Sequence, residues 1–332
     1  MNSEQIINSW SWLFSLSVIF KNSIESFICL LIIVLNFLLI ISLVQVKHCR
    51  TSQNLLLVNV GFACIYFSIS CLLSLSLTSY FLSTKTISTT QCRFIGFLLV
   101  SSCHCLMFSY TSVTWVRFLS ILFPFKRKLT ARPSIRLCLI ATWTLAFILS
   151  SMSLILPNQH IRFQMKAKIC FLNQQSPVMY IYFVTGYIIP ILLISLMNLI
   201  TYLSVKRSEQ ITSLSKSKLS RLNKRKRRNL RLLRQFSLFT IIFIFGWTPF
   251  IVVEIVDKDE KLSDMIYLYI LILPPLCVLI DSCVIFRWNR TVRHHFGLWW
   301  QRTLTRTRKY SSERDKSIND PDMNSMITTN EF

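Results

Sequence analysis

Residues 94–116 read FIGFLLVSSCHCLMFSYTSVTWV, 23 positions without Asp, Glu, Lys or Arg, bracketed by Arg93 and Arg117. About 20 apolar residues carry a helix across a hydrocarbon core of roughly 30 Å, so this stretch is long enough to cross a bilayer. Further charge-free windows lie at 26–46, 51–84, 137–161, 169–205 and 235–253, and a seventh, 265–286, is interrupted by Asp281 alone. The windows at 51–84 and 169–205, of 34 and 37 residues, are too short for two spans and a turn, so each counts once. None alternates as the strands of a membrane barrel do, and helices are the other structure that satisfies its backbone in lipid. The expected fold class is therefore an all-α membrane protein. It is a seven-transmembrane helix bundle with a short amphipathic eighth helix on the cytoplasmic face.

Composition agrees: 52% of residues are hydrophobic and 15% charged, against about 25% charged in soluble domains. An ordinary water-soluble enzyme is excluded. The net charge of +23 would suit a nucleic-acid binder, but its distribution fits membrane topology better. Segments after the odd-numbered spans, with the C-terminal tail, hold 28 Lys and Arg, and the opposite segments hold seven. By the positive-inside rule the N-terminus is outside and the C-terminus cytoplasmic. The run Lys224–Arg228 then reads as contact with anionic headgroups, with which a G-protein contact is compatible. Residues 1–22 lack a basic n-region and a cleavage site, so the first span acts as a signal anchor. The expected organisation is a short extracellular N-terminus (1–22), a seven-span domain (23–288), an amphipathic interfacial helix (289–302) and a cytoplasmic tail (303–332). Val292, Phe296, Trp299 and Trp300 carry the interfacial reading. With five glycines in the chain, no Gly-rich phosphate loop appears, and no cofactor, catalytic residue or nucleic-acid partner is expected.

Landmarks inside the spans narrow the class. Asn36 lies in the first, and Asn54 to Cys64 in the second read NLLLVNVGFAC. The third runs from Cys92 to Val116-Arg117-Phe118, with Pro124 after it. Trp143 marks the fourth, Pro190 the fifth, Phe243-x-x-Gly246-Trp247-Thr248-Pro249 the sixth, and Asp281-Ser282-Cys283-Val284-Ile285 the seventh. One landmark per span, in this order over roughly residues 25–300, resembles the rhodopsin-like family of G-protein-coupled receptors.

The resemblance implies a disulfide between Cys92 and Cys170, which pins the second outer loop over a ligand pocket. It implies G-protein coupling through Arg117 and Phe118. It also implies an activation switch of Trp247, Phe243, Pro249, Pro190 and Asp281. Physically, Pro190 and Pro249 each remove an intrahelical hydrogen bond and provide a pivot. Pro274-Pro275 should distort the seventh span. By position in the family, the ligand pocket comprises Leu99, Val100, Cys103, Tyr182, Phe183, Phe250, Glu254 and Tyr267. Leu99 stands where amine receptors carry an aspartate, and Pro275 where opsins carry the retinal lysine, so amine and retinal ligands are disfavoured. An apolar, aromatic pocket beneath an acidic rim (Glu254, Asp257, Asp259, Glu260, Asp264) suits a basic or amidated peptide. It equally suits a lipid or odorant, the rim then being solvated loop charge.

The chain also departs from the family. Val116 replaces the acidic neighbour of the arginine, Asn229 an acidic partner in the sixth span, and Asn198 and Ile285 two tyrosines. Either raised basal activity or loss of coupling follows, the latter giving a decoy or scaffold receptor. Cys64 and Leu106 replace sodium-binding positions, which argues against bound sodium and leaves Asp281 as a protonatable or hydrogen-bonded group. Cys103-His104-Cys105 is no metal site, because consecutive helical residues point about 100° apart. A transporter or channel would need several inward charges, and the windows offer Asp281 and His104. The protein is expected at the plasma membrane, with an extracellular ligand, a heterotrimeric G protein and the bilayer as partners.

Overall fold

The computed structural model describes residues 3–45, 52–123, 131–156, 161–212, 219–257, 261–288 and 305, with the side chains of 3–15, 45, 52–53, 208–212 and 219–236 outside that description. The expected interfacial helix 289–302, the tail 303–332 apart from Thr305, and Pro124 lie outside the described residues, as does the side chain of Asn229. In order come α1 (Ser3–Gln45), α2 (Ser52–Thr84), α3 (Thr89–Leu122), α4 (Arg132–Ile155), β1 (Ile161–Gln164) and β2 (Ile169–Leu172). Then follow α5 (Pro177–Phe183), a π-helical turn Val184–Ile188, α6 (Ile189–Thr212), α7 (Leu219–Val256), α8 (Asp264–Ile270) and α9 (Leu273–Trp288). The chain divides at Ile285 into two units. Of the second, 286–332, only 286–288 and 305 are described.

Seven runs are long and apolar enough to cross a membrane: Leu16–Val44, Asn54–Thr84, Thr89–Leu122, Arg132–Ile155, Pro177–Arg207, Ser237–Val256 and Asp264–Trp288. The protein is a multi-pass membrane bundle. Its outward faces are as greasy as its interior. On α1, Phe27, Leu30, Val34 and Phe37 are exposed while Cys29, Ile32, Asn36 and Leu39 are buried, because lipid rather than water surrounds it. The many serines and threonines are tolerated because their hydroxyls donate to carbonyls one turn back. Thr78 to Ser74, Ser79 to Leu75 and Thr111 to Met107 are examples, at 2.9–3.0 Å.

Neutral polar side chains tie the spans together. The Asn36 amide donates to the Ser282 hydroxyl of α9 at 2.8 Å. Asn59 donates to Ser109 of α3 at 2.8 Å and accepts from the Trp143 indole of α4 at 2.7 Å. Two landmarks of the sequence are thus interhelical hydrogen bonds.

Three local features differ from the sequence expectation. First, α1 runs through the expected boundary at residue 22, and its apolar run already includes Leu16. The charge-free window opens only after Glu25, yet the helix continues past it because Lys21 and Glu25 lie one turn apart and form a buried ion pair at 2.5 Å, each neutralising the other. Secondly, the seventh span is broken ahead of its prolines. α8 ends at Ile270, and Pro274 and Pro275 fall in the first turn of α9, where a missing N–H costs little. Thirdly, the fifth span carries the π-helical turn before Pro190, where the Ile189 N–H reaches back five residues to the Val184 carbonyl.

Candidate functional site

The second outer loop folds as a hairpin in which Ile161 pairs with Leu172 and Gln164 with Ile169. Lys168 closes its turn with φ 55°, a left-handed conformation uncommon for a side-chain-bearing residue. The Thr78 hydroxyl secures that turn by donating to the Lys168 carbonyl at 2.5 Å. Burial lowers the Lys168 ammonium from its ordinary value, and nearby Asp264 partly offsets this. The Cys92–Cys170 disulfide fixes β2 to α3, as the resemblance implies. Gly96 allows the close approach: a Cβ there would lie 2.5 Å from the Ile161 side chain and 3.0 Å from the Cys170 carbonyl oxygen.

Beneath the hairpin lie two adjoining chambers with about 440 and 470 Å³ of atom-free space. Phe171 roofs both, Trp247 and Phe250 contribute to both, and Cys103 stands between them. The first chamber is bounded by α3, α5, the π-helical turn and α7, and Val100, Tyr182 and Phe183 are on its wall. The second lies toward α1, α2 and α9, with Leu99, Glu25 and Pro275 on its wall. Trp247 stacks on Phe243 at 5.2 Å and 12°, and meets Phe67 of α2 at 5.7 Å.

Glu254 and Tyr267 line neither chamber, and their positions correct the acidic-rim expectation. Glu254 is fully buried and accepts from the Gln164 and Gln174 amides at 3.0 and 3.3 Å. It ties the hairpin to α7. Asp257, one turn on, accepts from the Lys261 and Leu262 N–H groups and from the Tyr267 hydroxyl, at 2.7–2.9 Å. Burial opposes the charge on Asp257, yet the Tyr267 hydroxyl, those two N–H groups and Lys166 outweigh it. Its pKa is held below the ordinary carboxylate value.

The remaining expected residues fall at two levels. Asp281 is fully buried in α9, its surroundings including Tyr110 and Cys64, and Leu106 is fully buried as well. Pro249 lies inside α7 and Pro190 heads α6. Arg117 and Phe118 stand near the end of α3 opposite the disulfide, with Trp115 stacked on Phe118 at 5.8 Å. Val116 and Ile285 are buried. Sequence reasoning missed Phe171, Glu25 and Gly186. Hairpin residues gave no periodic signal, and Glu25 lay outside the charge-free windows.

A helical membrane bundle with a covered cavity at one end and an arginine closing the third span at the other is the architecture of a seven-helix receptor. The model of the seven-transmembrane receptor (rhodopsin family) matches residues 35–284, and the chain belongs to that family. The fold is similar to the crystal structure of squid rhodopsin, with a TM-score of 0.72, 14% identity, and coverage of 86% of this chain and 85% of that one. No curated protein sequence matches it. The family is one of receptors rather than enzymes.

Proposed function

We propose that the protein transduces an extracellular ligand to heterotrimeric G proteins at the plasma membrane, with its N-terminus outside and its C-terminus in the cytoplasm. The observation that carries this reading is the connection between its two ends. The covered chambers rest on Trp247, which stacks on Phe243 and precedes the Pro249 interruption of α7 by two residues. α7 continues to the end where Arg117 closes α3. A ligand that alters the Trp247–Phe243 stack biases the pivot at Pro249, and the inner half of α7 follows. The excess of basic residues on the Arg117 side supports the orientation.

The hairpin argues for a small ligand. Ile169, Phe171 and Leu172 close over the chambers, and the carboxylates of Glu254 and Asp257 are occupied by intramolecular donors. A basic peptide therefore finds less free negative charge than the sequence suggests. The test is recruitment of a panel of G proteins to the surface-expressed chain, wild type against Arg117→Ala. Recruitment that disappears in the variant supports the reading. A second reading, a receptor that binds ligand without coupling, draws on buried Val116 and Ile285 where the family places polar groups. It gains if the chain reaches the surface, binds ligand and recruits nothing.

A further inference from the structure

The first chamber has polar groups on its wall, and its two tyrosine hydroxyls are engaged. The Tyr182 hydroxyl donates toward the Leu149 and Ser150 carbonyls of α4 at 2.7 and 2.9 Å and receives the Ser153 N–H at 3.0 Å. The Tyr187 hydroxyl pairs with Thr248 at 2.5 Å, whereas the Trp247 indole N–H, also on the wall, has no hydrogen-bond partner among the described residues. His104 supplies the orphaned acceptor. It is 3% exposed, lines the chamber, and its Nε2 has no hydrogen-bond partner among the described residues.

The other ring nitrogen determines what Nε2 can do. Nδ1 lies 3.1 Å from the Val100 carbonyl oxygen and 3.4 Å from the Ser150 hydroxyl. A carbonyl oxygen only accepts, so Nδ1 carries the proton and Nε2 presents a bare lone pair. The ring is held edge-on to Tyr182 at 5.3 Å and to Phe108 at 5.7 Å. Gly186, in the π-helical turn, leaves the space it needs: a Cβ there would lie 2.7 Å from Nε2. A buried acceptor left unsatisfied is costly, and a pocket with mostly apolar walls and one oriented polar group is the pattern of a small-molecule site.

We infer that the first chamber binds a small, largely apolar molecule carrying a neutral hydrogen-bond donor, a hydroxyl or an N–H, which His104 Nε2 accepts. The inference rests on the chambers being the ligand site of the proposed receptor. At His104 it specifies donor rather than acceptor chemistry, so an ether, ester or ketone cannot anchor on Nε2. A carboxylate is excluded too, having no proton to give.

The experiment uses the full chain, purified in lipid nanodiscs. Binding of 4-phenylphenol and 2-naphthol is compared with that of their methyl ethers by ligand-observed NMR. The hydroxyl members should bind roughly tenfold tighter, the scale of one hydrogen bond to an otherwise unpaired buried group. That preference should vanish in His104→Leu while the ethers bind as before, and Gly186→Ala should weaken the hydroxyl probes selectively. Histidine side-chain ¹⁵N spectra, with His104 assigned by its loss in His104→Leu, should show Nδ1 protonated and Nε2 shifting when a hydroxyl probe binds. Ethers equal to their phenols, no binding by either class, or a protonated Nε2 in the unbound receptor would each overturn the inference. G-protein recruitment is scored separately. A chain that binds phenols through His104 but recruits nothing overturns the coupling reading alone, and one that recruits but shows no donor preference overturns only the ligand chemistry.

Discussion

At the hairpin end, α3, α7 and the loop between the fourth and fifth spans are joined by a disulfide and by a carboxylate accepting from two glutamine amides. The ion pairs Lys21–Glu25 and Lys166–Asp264 lie at that end too. At the arginine end, Arg117 follows Val116 where the family carries a carboxylate, and Ile285 is buried where it carries a tyrosine. Between the two levels, the ties among the described residues are neutral hydrogen bonds, those of Asn36, Asn59 and Tyr66 among them. Covalent and charge-assisted bonds outweigh single neutral hydrogen bonds between membrane helices, which average about 0.6 kcal/mol. The hairpin end is thus held by stronger bonds than the middle of the bundle.

The strongest way to break this contrast is to remove the disulfide. Cys170→Ser releases a tie across 78 residues, worth about 4 kcal/mol in the chain-entropy model, and surface expression and melting temperature should both fall sharply. Glu254→Leu should cost about 2 kcal/mol by leaving Gln164 and Gln174 without their acceptor. Faster proteolysis within 161–174 than in wild type would report it, and an unchanged rate would show the hairpin to be held by the disulfide alone. Asn59→Ala, at the middle level, should cost about 1 kcal/mol or less. A loss as large as that for Glu254 would erase the distinction between the levels.

Asp257 supplies the smallest effect and a pH dependence. Its folded pKa lies below the unfolded value, so its contribution is complete above the ordinary carboxylate pKa and disappears as pH falls through the depressed one. The melting temperature of wild type minus that of Asp257→Asn should shrink across that acidic window and stay constant from pH 6 to 8.

The seven spans were readable because charge is excluded from lipid wherever it is not paired. The same rule explains why the window of the first span opens after Glu25, although Lys21 and Glu25 cancel at one-turn spacing and the helix continues past them. The hairpin left little trace: its turn contains neither Gly nor Pro, and the left-handed position falls to Lys168. Glu254 read as rim charge because the partners that bury it lie 80 and 90 residues away in sequence. Trp247, Val100, Tyr182 and Phe183, which line the first chamber, were singled out through family position rather than from any pattern of their own. His104 was visible as an intramembrane titratable group, but its free nitrogen follows from the Val100 carbonyl and Gly186, which only the folded chain brings to it.

The unequal lengths of the spans carry a consequence for the membrane. Within the residues whose side chains are described, the first apolar run covers 29 residues and the sixth 20, or at least about 44 and 30 Å at 1.5 Å per residue. The shorter matches a typical hydrocarbon core, whereas the longer still projects about 41 Å when tilted by 20°. Roughly 10 Å of the first span must stand among the headgroups or draw a thicker bilayer around itself.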